Sequence, residues 1–272
     1  MLSLTPLPLS RLPSHPTLPT TISLSEFLPP LLSETQTFLS AIPSTFQKEK
    51  LVSSPPSTAK IQLSSYKKHP SPRSERKEEH WFSRRSVHAN EPVHGTASFV
   101  EFQDGLRYTH SLNEGEYTPS IVNVTALLEW EGCFFDGWKV DLAGTSLVYS
   151  ITHAFPPLSP RTFVNLVLCA TEPDGSGFIT VQIPVESSIV TQTQPQPQPE
   201  SKTVYGVYTS VEHVRLHGTS VEWVMATTSD AKGSIPGWMQ RSYLLGGVPK
   251  AIIKDVGLFI DWVDRKRITV ES

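Results

Sequence analysis

The sequence is short of cysteine, of excess positive charge and of long apolar runs, and each shortage excludes something. Cys133 and Cys169 show no metal-ligand spacing, and two thiols in 272 residues do not build a disulfide framework, so a reducing compartment is the default expectation. Lys and Arg total 23 against 26 Asp and Glu, and the net charge of −3 argues against a protein whose main task is holding nucleic-acid phosphates. No stretch approaches the roughly 18 apolar residues of a membrane-crossing helix. The opening residues, interrupted by Pro6, Pro8, Arg11 and Pro13, make a poor signal peptide. A cytoplasmic protein is expected, with peripheral membrane contact left open. Enzyme signatures are missing too: no nucleophile elbow, no phosphate-cradling glycine loop, no His-Glu-x-x-His and no paired cysteines. His88, Glu91 and His94 are close in sequence but form a weak zinc candidate, so neither metal nor cofactor is expected. Asn123-Val124-Thr125 fits a glycosylation sequon inside a predicted strand, where chance matches are common.

What is present is unevenly placed. All six tryptophans lie between Trp81 and Trp262, while 12 of the 24 prolines fall in the first 72 residues. Residues 1–43 read as a Pro-rich leader ending in one amphipathic helix near 31–42, with Ser25 as its cap and an apolar face that must pack on something. Residues 44–77 have the composition of a flexible linker. The folded domain is expected over 78–267. Within it a strand starts near Trp81 and a short helix precedes Gly105. Strands follow at about 121–131, 138–142, 145–155, 162–171, 177–186, 203–216 and 220–228. Leu147, Tyr149, Ile151, His153 and Phe155 alternate with smaller residues, the period of two that marks a buried strand face. Pro173-Asp174-Gly175 supplies a hairpin turn. Gln and Pro alternate from Gln192 to Glu200, which makes 188–202 a disordered loop. A helix opens near Pro236, weakens at Gly246-Gly247 and restarts at Pro249. From there Ile252, Val256, Phe259, Ile260 and Val263 share one face. Many antiparallel strands followed by one long amphipathic helix define an α+β fold.

At Ser229-Asp230-Ala231-Lys232-Gly233-Ser234-Ile235-Pro236-Gly237-Trp238 a strand runs through a glycine turn into the final helix. This resembles the end of START lipid-transfer domains, and Pro160-Arg161-Thr162-Phe163 resembles the start of a strand in that superfamily. Trp81-Phe82 with Arg84 to His88, His110-Ser111 with Glu114, Glu116 and Tyr117, and Ser210-Val211-Glu212 with Glu222 to Thr227 are together similar to a little-characterised, mostly fungal START-like group. The resemblance implies a helix-grip fold: a curved antiparallel sheet wrapped around a long C-terminal helix, with a ligand cavity between them. Fold alone does not dictate function.

Candidate cavity residues are Tyr149, His153, Trp223, Met225, Trp238, Met239 and Tyr243, although ordinary core packing suits all seven. A polar set, Arg84, His88, His110, Glu114 and Glu116, could hold the polar end of a ligand, or lock helix to sheet through a pair such as Arg84 with Glu116. Asp230 either pairs with Arg161 or caps its own turn. The leading expectation is a binding or transfer protein for a lipid or similar hydrophobic small molecule. A START-like cyclase acting on a polyketide or related metabolite is the alternative, with His110, His153 or Glu116 as acid or base. A non-catalytic scaffold is the third.

Overall fold

The computed structural model describes residues 1–69, 78–140, 146–155, 158–193 and 203–271. Ser23 opens the first helix, α1 (Leu24–Thr45). Its Oγ accepts the Glu26 amide at 3.2 Å, and the Glu26 carboxylate accepts the Ser23 amide at 2.8 Å. This reciprocal cap fixes the start two residues before the expected Ser25 and carries Pro29 and Pro30 inside the helix. Buried Phe27, Leu28, Leu31 and Leu32 offset the bonds those prolines cannot make.

Eleven strands form one sheet among the described residues. They are β1 (Gln47–Ser53), β2 (Lys60–Lys68), β3 (Glu79–Ala89), β4 (Ile121–Trp130), β5 (Cys133–Phe135), β6 (Trp138–Val140), β7 (Ser146–Phe155), β8 (Leu158–Thr171), β9 (Gly177–Pro184), β10 (Val204–His217) and β11 (Ser220–Asp230). Their order is β1-β2-β3-β11-β10-β9-β8-β6-β5, with β7 also on β8 and β4 on β7. Pairing is antiparallel except for a short parallel contact of β8 with β10. Gly175, at φ +70°, turns β8 into β9 in the expected Pro-Asp-Gly hairpin.

Two expectations are corrected here. The presumed linker contains β1 and β2, paired from Gln47 with Ser65 to Ser53 with Lys60; residues 70–77 lie outside the described residues. Their composition hid them because β1 is an exposed edge and β2 buries only Ile61 and Leu63 deeply. The presumed disordered loop begins with a short helix, α4 (Ser188–Thr193), anchored by buried Ile189, and 194–202 lie outside the described residues. The leader is also packed: Leu2, Leu7, Leu9, Leu12 and Leu18 are buried, and Leu7 bridges to Val185.

The core divides into two large clusters on opposite faces of the sheet. On the outer face the leader and α1 pack against Trp81, Leu166, Val181, Val211 and Ala226. On the inner face lie α2 (Phe99–Leu106), α3 (His110–Tyr117) and α6 (Val248–Glu271). The α6 stripe is the expected one, with Ile252, Val256, Phe259, Ile260 and Val263 all buried. The run-in differs: α5 (Gly237–Gln240) is a separate single turn, and Gly246 at φ +82° breaks the chain from α6 instead of kinking a continuous helix. Ser98 caps α2 through Glu101, and the same carboxylate accepts Arg267 Nε at 2.6 Å, tying the end of α6 to the start of α2. Sequence periodicity missed α3, whose eight residues carry little apolar surface.

Gly257 is where α6 meets the β1–β2 turn. A Cβ there would stand 2.5 Å from Pro55 O and 2.8 Å from Ser54 O, both backbone atoms that cannot swing away. Gly257→Ala is therefore expected to lower unfolding free energy by about 2 kcal/mol or more, despite alanine's better helix propensity. Urea titration followed by tryptophan fluorescence measures it.

Candidate functional site

Residues directly opposite one another in antiparallel strands leave the sheet on the same side. One such row crosses the inner face through Leu63, Arg84, Met225, Glu212, Thr180 and Cys169. A cation and a carboxylate are thereby placed two strands apart on the face covered by α2, α3 and α6.

Arg84 is 1% exposed, and its guanidinium carbon lies 3.7 Å from the centroid of the Trp223 ring. Trp223 donates its indole N–H to Glu212 Oε2 at 3.0 Å. Phe102 and Phe259 approach the same indole edge-on at 5.5 and 5.3 Å. Burial pushes the guanidinium pKa down, against the opposing pull of Glu212 and Asp255.

The helices bring more polar groups to this face. Glu114 projects from α3; burial, then Asp255 and Glu212, raise its pKa to about 8. Asp255 projects from α6, and burial raises its pKa to about 7 although Arg84 pulls it down. Tyr117 and Tyr208 are held well above the usual phenol range, first by burial and then by these carboxylates. Tyr208 donates its hydroxyl to Gln182 Oε1. The Gln182 amide lies 3.2 Å from His110 Nε2, and His110 Nδ1 lies 2.7 Å from Leu106 O. With Nδ1 donating to that carbonyl, Nε2 accepts from Gln182, and the chain of donors is satisfied. Glu114 Oε2 stands 3.9 Å from the same His110 Nε2.

Of the residues expected from the sequence, Arg84, His110, Trp223 and Met225 thus meet on the inner face. His88 is on the same face but serves the core: its Nε2 meets Ser86 Oγ at 2.9 Å, its ring packs on Phe102, and burial lowers its pKa to about 4. Glu116 is exposed, accepts Trp262 Nε1 at 2.9 Å and pairs with Lys266 at 3.2 Å, so the expected Arg84–Glu116 pair does not form. His153 is five strands along the sheet from β3, against Ser120 and Phe163, with its pKa lowered to about 4 by burial. Tyr149 lies opposite Asn165 in the register, and its side chain lies outside the described residues. Trp238 is 60% exposed and Met239 half-buried in α5, while the Tyr243 ring lies under Lys50 Nζ. Asp230 caps its turn, binding the Lys232 amide at 2.9 Å and its ammonium at 2.7 Å. Glu91 and His94 are exposed, away from buried His88.

Glu212, Asp255, Tyr117, Tyr208 and Gln182 were not singled out as site residues. Asp255 carried a usable signal: it is three residues after Ile252 and four before Phe259, a carboxylate inside the apolar stripe.

A sheet gripping a C-terminal helix, with its concave face partly polar, defines a START-like helix-grip protein. The chain belongs to the family described as "Protein of unknown function (DUF3074)", whose model matches residues 81–263. Among solved structures, human STARD10 is similar at a TM-score of 0.56 and 14% identity, over 88% of this chain and 83% of that one. The lipid transfer and protein localization domain of human StarD13 aligns at a TM-score of 0.47 and 15% identity, over 86% and 96%. The Zhui aromatase/cyclase from Streptomyces aligns at 0.39 and 11%, over 69% and 95%. A search of curated proteins by sequence finds no match. At these identities the likeness to STARD10 establishes the fold alone.

The raised carboxyl pKa values carry a stability consequence. Unfolded carboxyls titrate near pH 4. Between that pH and their folded values, Glu114 and Asp255 hold more protons folded than unfolded, so stability falls as pH rises through this window. Glu114→Gln is expected to leave stability near pH 4 almost unchanged and to raise it by about 2 kcal/mol at pH 8. Urea unfolding at the two pH values checks the sign.

Proposed function

We propose that the chain holds a hydrophobic small molecule with a polar end, a lipid or similar metabolite, between the inner face of the sheet and α2, α3 and α6. One observation carries this reading. Glu114 keeps 25% of its side-chain surface accessible, and Asp255 and Tyr208 remain half-buried, although the fold surrounds all three. A close-packed interior leaves little such surface, which supports interior space beside these groups. Met225, half-buried between Arg84 and Glu212 in the register, supports the same placement. Native mass spectrometry followed by organic extraction is the direct test: a stoichiometric amphiphile is expected, and a protein empty after mild purification and lipid incubation overturns the reading. Met225→Trp is expected to fill the space, cutting binding of that amphiphile at least tenfold while thermal stability changes little.

Loading is proposed to occur at a membrane surface through the segment joining α5 to α6. Leu244 and Leu245 of this segment are 85% and 56% exposed and Trp238 of the adjoining α5 is 60% exposed, with Arg241 and, at the start of α6, Lys250 exposed beside them. Apolar tips flanked by cations suit an anionic bilayer surface. No described helix is long and apolar enough to cross a membrane. In co-sedimentation with phosphatidylserine vesicles, Leu244→Asp with Leu245→Asp is expected to reduce bound protein about tenfold; unchanged sedimentation would remove the loop from the mechanism.

The convergence of polar groups favours an enzymatic second reading over a vestigial cavity. Glu114, with a pKa near neutrality and His110 beside it, has the properties of a general acid or base, and Arg84 could polarise a ligand carbonyl. Turnover of a bound carbonyl compound, abolished in Glu114→Gln with binding retained, would select it over simple binding.

A further inference from the structure

The charges on the inner face do not balance. Arg84 comes from β3, Glu212 from β10, Glu114 from α3 and Asp255 from α6: one cation against three carboxyl groups. Among the described residues, the other two buried arginines are engaged elsewhere: Arg161 of β8 donates to Ser159 O, and Arg107, just after α2, donates to the Tyr108 hydroxyl. From β9 come Thr180 and Gln182, from β11 Trp223 and Met225, from β2 Leu63, and from α2 Phe102 and Leu106. His110 is engaged at both ring nitrogens, the Tyr117 and Tyr208 phenols stay protonated, and Lys254 is on the exposed face of α6.

Arg84 and Glu212 are joined through one indole, the first stacked on Trp223 and the second accepting its N–H, so their charges offset each other. No cation acts on Glu114, and Asp255 has only the pull of Arg84, already shared with Glu212, and of Lys254 on the exposed side of its helix. Two further facts point to a missing group. Glu114 Oε2 has no hydrogen-bond partner among the described residues, and neither has Nε or Nη1 of Arg84, a side chain that is 99% buried. Orphaned buried donors and acceptors are costly unless something else completes them.

We propose that the interior site recognises an amphiphile whose head carries a cationic nitrogen, held between Glu114 and Asp255, with an oxygen acceptor beside it for Arg84. This rests on the interior-binding reading above. The nitrogen supplies the missing positive charge, the oxygen takes the free guanidinium donors, and the apolar tail enters the aromatic and aliphatic remainder of the inner face. When the site is empty, protons meet the same deficit, as the raised pKa values of Glu114 and Asp255 indicate. Binding of an ammonium group to a protonated carboxyl therefore forms an ammonium–carboxylate pair and releases the carboxyl proton to solvent. Affinity for the cation rises with pH until the carboxyls are ionised in the empty protein.

Calorimetry on the full chain with dodecylamine, dodecanol and dodecanoate separates the components. At pH 7.5 the amine is expected to bind at least tenfold more tightly than the alcohol, with dodecanoate weakest. Amine affinity is expected to fall about tenfold per pH unit below pH 7, one proton being released per amine, while alcohol affinity stays level. Glu114→Gln with Asp255→Asn is expected to bring amine and alcohol to within threefold of each other and to abolish the pH dependence. Dodecanol or dodecanoate binding as tightly as the amine, or an amine affinity independent of pH in the wild-type chain, overturns the charge assignment and leaves interior binding standing. Failure of all three probes to bind overturns the interior-binding reading itself. The wild-type pH series decides the matter even if the double variant does not fold.

Discussion

The indole of Trp223 is the contact on which the inner half of the protein depends. It is 1% exposed, takes Arg84 on its ring face, donates to Glu212 and receives Phe102 and Phe259 on its edges. A buried guanidinium is tolerable only where something offsets its lost hydration. The π face and the neighbouring carboxylate do so together, and the same contacts seat α2 and α6 on the sheet. Without the indole, a cation and a carboxylate would face each other across Met225 with nothing between them.

The two faces of the sheet divide the work. The outer face is sealed by leucines from the leader and by α1, with Leu12, Leu28 and Leu31 fully buried. That burial is ordinary hydrophobic stabilisation. The inner face gives up stability, because Glu114 and Asp255 are held protonated or unpaired in surroundings that disfavour their charge. The packed outer layer lets the domain tolerate that cost, which gives the Pro-rich leader a structural purpose its composition did not suggest.

Legibility in the sequence followed the range of the interactions. The α6 stripe was legible because Ile252, Val256, Phe259 and Val263 repeat along one chain segment. The period of two announced β7, and the local run of residues before Gly105 announced α2, although its Ser98–Glu101 cap emerged only in the structure. The strands β1 and β2 were not legible: one is an exposed edge, and their polar residues resemble a tether until the partner strand is known. Helix α3 was missed because the hydrogen bonds from His110 and the burial of Tyr117 are made to distant segments.

The sequence by itself determined the class of fold and the elements that carry most of the inner face. Hydrophobic periodicity and turn chemistry are local, and a local pattern survives in one dimension. Which polar residues share a site was decided by the tertiary structure alone. Strand register sets Arg84 opposite Met225 and Met225 opposite Glu212 across three strands, and helix docking brings Glu114 and Asp255 to them. It also sent Glu116, two residues from Glu114, out to Lys266 at the surface. Separation along the chain carries no information about such meetings, because the hydrogen-bond ladder and the packing of helices on it determine which side chains share an environment of low dielectric.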